Sequence, residues 1–244
     1  MFQLSSNRWS RRTRTVVLLA VALLPQRPKR WAYRRLFGYQ IAPSAVIGLS
    51  LIDVESFEMS EGASIGHGNL FVETRNVRVG RGARIGHANI FRGGEEIELG
   101  PGCEVLRLNV VNSIVDPEVT NPTEPRFFLG ERATVTEGHK IDFTDRVEIG
   151  AGTILAGRHS SLWTHTRQQT RPIRIGSACY VGSEVRIGSG VVIPDRSVVG
   201  MGAVVVEGFD REGTLIAGVP ARVVKELDES STPLLRIVGK EGQR

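Results

Sequence analysis

Aromatic side chains are scarce in this chain of 244 residues, at 6% of the composition, although 41% of it is hydrophobic. A core with so few rings must be filled by Val, Ile and Leu, which suits a narrow interior better than a broad globular one. Only two cysteines occur. Cys103 and Cys179 stand far apart, so neither a disulfide framework nor a close-spaced thiolate metal site is expected, and both read as buried free thiols in a reducing compartment. Long apolar runs are missing as well. Val16 to Leu24 is nine residues, against about twenty needed to cross a bilayer, and no small-residue cleavage site follows Pro25, so a secretory signal is not expected. Acidic residues are absent from the first 52 positions, which hold nine Lys or Arg, while the remainder carries 22 basic against 26 acidic residues. The formal charge of +5 therefore belongs to the N-terminus.

Glycine is plentiful, at 28 residues, and it is placed with a period. From Ile173 to Glu207 the chain reads IRIGSACYVGSEVRIGSGVVIPDRSVVGMGAVVVE, with aliphatic anchors at Ile175, Val181, Ile187, Ile193, Val199 and Val205. Gly follows four of the first five. A strict period of six fits neither a helix nor simple strand alternation; it fits a solenoid in which each hexapeptide makes one short strand and a turn, three to a coil. The anchors then stack as the core of a triangular prism, and glycine turns the corners.

This run resembles the hexapeptide-repeat acyltransferases, in particular the sugar and polysaccharide O-acetyltransferase branch. The closing phrase Ile216-Ala217-Gly218-Val219-Pro220-Ala221-Arg222 strengthens the resemblance, which covers roughly residues 41 to 227. It implies an all-β, left-handed parallel β-helix that assembles as a homotrimer, binds acetyl-CoA between neighbouring prisms and acetylates a sugar or lipid-linked sugar. Scaffolds and γ-class carbonic anhydrases share the fold, so a non-catalytic scaffold and a metalloenzyme are the alternatives.

The lattice begins at Ile41 and Ile47. Between Ile65 and Val105 its period lengthens to twenty residues per coil, which brings Asn69, Asn89 and Asn109 into one internal column that His139, His159 and Cys179 are expected to continue. Stacked Asn amides can satisfy one another, so the three are read as structural. Ser113 to Arg126 contains three prolines and is expected as a loop thrown out from the prism, able to carry specificity. After Leu155 the anchor positions fall on Ser161 and Arg167, and 157 to 172 is expected as a second loop. A solenoid that breaks its rule beside its most regular region is suspected of doing so for function.

Acyl transfer to a hydroxyl needs a base near the nucleophile. His165, inside the interruption, is the leading candidate, and the resemblance places a catalytic His just upstream of the final repeats. Asp142 and Asp145 are both candidates to orient it; the register leaves the choice open, with Asp145 expected one coil below His165. His139 reads equally as a core histidine or a substrate contact, and His67 and His87 as turn residues at the surface. By resemblance, Tyr180, Gly182 and Ser183 would lie along the pantetheine arm, Met201 and Gly202 at a backbone contact, and Arg222 near the nucleotide. No metal is expected: His159 and His165 are the only close histidine pair and lack a supporting motif.

Three regions follow from these boundaries. Residues 1 to 40 form a basic amphipathic helical segment, 41 to 210 the β-helix, and 211 to 244 an extension with a short helix starting near Arg222 and a weakly patterned tail. Cations interleaved with Trp31, Tyr33, Leu36 and Phe37 suit an anionic membrane surface, giving a cytoplasmic protein with peripheral contact through residues 8 to 37. Capping of the first coil is the other reading, and both can hold. Nucleic acid is not an expected partner.

Overall fold

The computed structural model describes residues 10 to 114 and 120 to 228. The expected tail beyond Ser230 and the centre of the proline-rich loop lie outside the described residues. Short strands stack in parallel into three sheets that form the sides of a prism. The first runs over eight strands from Gln40–Ile41 to Val192–Ile193, and the second begins at Val46–Ile47. The third runs over eight from Leu51–Asp53 to Val204–Val205. The chain visits them in that order, one coil at a time.

The hexapeptide anchors are register partners. Ile47, Ile65, Ile85, Val105, Val135, Leu155, Val181, Val199 and Ile216 follow one another up the second sheet, all buried. Where coils lengthen, the extra width is filled by the few aromatic residues the chain has. Phe57, Phe71, Phe91, Phe127 and Phe143 are fully buried, and Phe71 stacks on Phe91 at 4.5 Å. At the corners the backbone of successive coils closes tightly. A Cβ at Gly86 would lie 2.0 Å from the Leu106 carbonyl oxygen, so only glycine fits.

The asparagine column is present. Asn89 and Asn109 each donate from Nδ2 and from the backbone N–H to the Oδ1 of the Asn below, at 3.0 Å. His139 continues it, its N–H donating to Asn109 Oδ1 at 2.9 Å. The next member is Ser160, not His159. One extra residue enters between Leu155 and Arg158, shifting the register against Val135 and Glu137. The shift leaves His159 exposed with φ +61° and makes Leu162, rather than Ser161, the core anchor opposite Ile141. Strands therefore persist through Ile154–Arg158 and Ser161–Trp163, and the excursion is confined to 164 to 172. Cys179 belongs to a different corner column, where its N–H donates to Thr153 Oγ1. Both cysteines are buried and unpaired.

The N-terminal segment is two helices, α1 at Arg11–Ala22 and α2 at Gln26–Phe37, parted before Pro25. Ser10 caps the first, and Gly38 ends the second at φ +72°. Leu18, Val21, Ala32 and Tyr33 are buried among the core residues of the first coil. Its open carbonyls are met by cations: Lys29 donates to Ile47 O and Gly48 O at 2.9 and 3.0 Å, Arg30 to Ala45 O at 3.2 Å and Arg34 to Ile41 O. Gln26 exchanges two hydrogen bonds with the Ile47 backbone, and Arg14 pairs with Asp53 at 2.6 Å.

The C-terminal helix expected near Arg222 is not there. Thr214–Gly218 joins the second sheet beside Val198–Val199, turns, and pairs antiparallel with Ala221–Glu226. Val223 and Val224 are β-branched, and a strand edge was available to them, so an extended hairpin replaces the helix.

Candidate active site

The candidate site lies at the corner between the third and first sheets. Strand Lys140–Asp142 turns there through Phe143, Thr144 and Asp145, and Ser161–Trp163 runs beside it with Asp142 opposite Trp163. Thr166 N–H and Gln169 O close a tight turn at 2.7 Å, and an isolated antiparallel bridge joins His165 to Thr170, so 164 to 171 stands out as a small hairpin.

Asp142 is 1% exposed, and its carboxylate is fully engaged. Oδ1 accepts from the Thr144 N–H at 2.9 Å and its hydroxyl at 2.6 Å, while Oδ2 faces His165 Nδ1 in a short contact. The Thr144 hydroxyl itself accepts from Ile114 N–H at 3.0 Å, which commits its proton to Asp142. A carboxylate held this way fixes the hydrogen of His165 on Nδ1 and leaves a lone pair on Nε2. The ring is partly open to solvent, with 23% of the side chain exposed.

Asp145 is not the partner of His165. Its Oδ1 accepts from Arg146 N–H at 2.8 Å and Glu124 N–H at 3.3 Å, and its own N–H donates to Thr164 Oγ1 at 3.0 Å. The coil here is longer than twenty residues, with Val147 opposite Ile173, so Asp145 anchors the ends of two loops instead. His139 sits in the core. It is buried, its Nδ1 accepts from Ser160 N–H at 3.1 Å and its Nε2 meets Thr136 Oγ1 at 3.0 Å. Both nitrogens are occupied, and burial pulls its pKa down to about 4.

The two expected loops meet. Asn121 Nδ2 donates to Thr170 O at 3.0 Å, Thr170 N–H returns a bond to Asn121 Oδ1 at 2.9 Å, and Thr120 N–H donates to Gln168 O at 3.0 Å. Sequence reasoning missed Thr144 and Asn121: isolated polar residues on opposite loops carry no periodic signal.

The candidate CoA residues sit elsewhere on the protomer. Tyr180 lies on the second sheet opposite Ile154, and Gly182, Ser183, Met201 and Gly202 turn the corner between the second and third sheets. Gly202 N–H donates to Ser183 O at 2.9 Å, Met201 is exposed, and Arg222 is paired with Glu207 at 2.6 Å on the terminal hairpin. His165 is separated from that corner by the width of the third sheet. His159 lies at the far corner too, so it and His165 are not a ligand pair, and among the described residues no group of three His, Cys, Asp or Glu is placed to hold a metal.

The chain is 30% identical over 107 residues to the galactoside O-acetyltransferase of Escherichia coli, covering 42% of this chain and 52% of that protein. Over that stretch it is similar to a bacterial O-acetyltransferase. WcaF of the same organism, named for an acetyltransferase of colanic acid biosynthesis, is 26% identical over 126 residues, covering 49% of this chain and 69% of that one. The chain thus spans about half the length of the first of these relatives. No family model matches. Among solved structures, a galactoside acetyltransferase in complex with coenzyme A aligns with a TM-score of 0.37 at 26% identity, over 48% of this chain and 66% of that one. A hexapeptide-repeat acetyltransferase of Vibrio cholerae complexed with acetyl coenzyme A aligns with a TM-score of 0.42 at 18% identity, over 94% of both chains.

Proposed function

We propose that the protein is an acetyl-CoA-dependent O-acetyltransferase whose acceptor is a sugar hydroxyl of a polysaccharide or glycolipid under synthesis. The observation that carries this reading is the buried Asp142 bonded to a partly exposed His165 where two loops leave the regular coils and meet. His165 Nε2 takes the proton of the acceptor hydroxyl as its oxygen attacks the thioester carbonyl. The tetrahedral adduct collapses, the C–S bond breaks, and the imidazolium returns the proton to the departing thiolate of CoA. Asp142 holds the tautomer and supports the charge that appears on the ring.

The acetyl donor must reach His165, and the Tyr180, Ser183 and Met201 corner of the same prism lies across a sheet from it. A second copy supplying that corner completes the site, which favours a homotrimer with three shared clefts. An apolar row on the outer face of the third sheet, Leu51, Leu70, Ile90 and Val110 in register, suits burial against such a neighbour. No described helix is long and apolar enough to cross a membrane. We place the enzyme in the cytoplasm with α1 and α2 resting on an anionic membrane, since Val16, Leu19, Leu23 and Trp31 are exposed on helices that carry many cations and no acidic residue of their own.

The test is His165→Ala. The variant should fold and assemble as wild type and bind CoA unchanged, while kcat falls by about 10² to 10⁴, the usual contribution of a general base. Wild-type turnover in a folded variant refutes the mechanism.

A further inference from the structure

The outer face of the third sheet beside His165 has an unbalanced charge. Alternation puts Lys140 and Asp142 on that face with Ile141 inside. Lys140, Ser161 and Arg186 are successive register partners, so their side chains form one column across three strands. Lys140 Nζ lies 4.5 Å from the centre of the Trp163 ring, and that ring lies 6.3 Å, edge to face, from His165. Cation, indole and imidazole therefore lie in one continuous row.

Among the described residues these cations have no carboxylate partner. Elsewhere on the prism Arg75, Arg78, Arg84, Arg92, Arg107 and Arg126 each meet a glutamate, and the outer face of the first sheet alternates charge. Among the described residues no carboxylate pairs with Lys140 or Arg186; the first has only the Trp163 ring and the second only the Glu184 carbonyl, at 3.3 Å. Arg167 and Arg171 on the His165 hairpin add two more exposed cations. The carboxylates nearest in sequence are committed, Asp142 to Thr144 and His165, and Asp145 to backbone N–H groups. The phosphates of CoA lie a pantetheine arm away from its thioester. They cannot be what this surface serves if the thioester sits at His165.

We infer that Lys140, Trp163 and Arg186 form an acceptor subsite for a sugar that carries a negative charge, a carboxylate or a phosphate, within one residue of the hydroxyl that reacts. Trp163 offers its edge and exposed face to the C–H face of the sugar, and the two cations take the anion. This rests on the transferase reading above, and the measurements are chosen to fail separately.

Binding to the full-length protein is measured by calorimetry with three probes: a glucuronate-containing tetrasaccharide, its carboxyl-reduced neutral counterpart, and glucose 1-phosphate. Thiol release from acetyl-CoA is followed in parallel. At least one anionic probe should bind tenfold or more tightly than the neutral one, the better of the two showing whether carboxylate or phosphate is read. Lys140→Met, which keeps the stem over Trp163, should remove that preference and raise the acceptor KM by about tenfold without moving the KM for acetyl-CoA. Loss of the preference in Lys140→Met with no thiol release in wild type would support the subsite and count against the transferase. Turnover with no preference for charge, no binding of either anionic probe, or an effect of Lys140→Met on acetyl-CoA alone would overturn the subsite.

Discussion

Replacing Asp142 by Asn tests the site with a change of one heavy atom. The carboxylate accepts three hydrogen bonds, two from Thr144 and one from His165 Nδ1. An amide keeps an oxygen for the Thr144 donors, because turning that oxygen away would set NH₂ against an N–H and a hydroxyl already committed by Ile114. The NH₂ group then faces His165 and donates to Nδ1. The imidazole must answer by moving its hydrogen to Nε2, where the proton of the acceptor has to land. The base is lost although every heavy atom stays in place. The expected fall in kcat is about 10² to 10⁴, or roughly 3 to 5 kcal/mol of barrier, close to that of His165→Ala and not additive with it. Asp145→Asn retains the Oδ1 that accepts from Arg146 and Glu124, so its kcat should stay within about threefold of wild type, the modest change usual away from a reacting group. Initial-rate kinetics on both variants, with circular dichroism to confirm the fold, decide the matter. Wild-type turnover in Asp142→Asn, or a larger loss in Asp145→Asn, would refute the assignment.

His139 makes stability depend on pH. Its folded pKa of about 4 lies below the ordinary 6.5, so the unfolded chain binds a proton that the folded chain refuses, and stability is lost as pH falls from 6.5 towards 4. At pH 5 the loss is about 2 kcal/mol; denaturant midpoints at pH 7.5 and 5 should differ by about that much more in wild type than in His139→Asn. Asn121→Ala breaks the bonds tying the two loops together and should lower kcat by about ten- to a hundredfold through misplacement of His165 while the melting temperature hardly moves; an unchanged kcat would show that the hairpin holds itself. Vesicles containing anionic lipid should retain the full-length protein in a salt-sensitive way, and Trp31→Glu with Leu23→Glu should release it. Equal retention would leave α1 and α2 with capping alone.

A period of six is a direct image of the fold, because each anchor from Ile41 to Ile216 reports one strand and its sheet. The asparagine column could be read for the same reason: its spacing equals one coil. What escaped were features set by a single residue or by contacts between distant loops. The extra residue near Gly157 exchanged His159 for Ser160 in the column and Ser161 for Leu162 in the core, and no periodic argument can locate a one-residue bulge in advance. The choice between Asp142 and Asp145 stayed open for the same reason, since it depended on a coil that is 26 residues long between Val147 and Ile173. The terminal hairpin was misjudged because Arg222 to Glu226 offers a plausible helix start locally, and only the free edge of the second sheet makes the extended form better.

Stacked parallel strands resemble a growing polymer, in which each coil presents the next with a template of unused carbonyls and N–H groups. At the first coil that growth is terminated chemically. Lys29, Arg30, Arg34 and Gln26 saturate the leading edge, so a second molecule finds nothing there to add to. A chain beginning at Tyr39 would expose the template again, and it should self-associate through its first coil, where the intact protein does not.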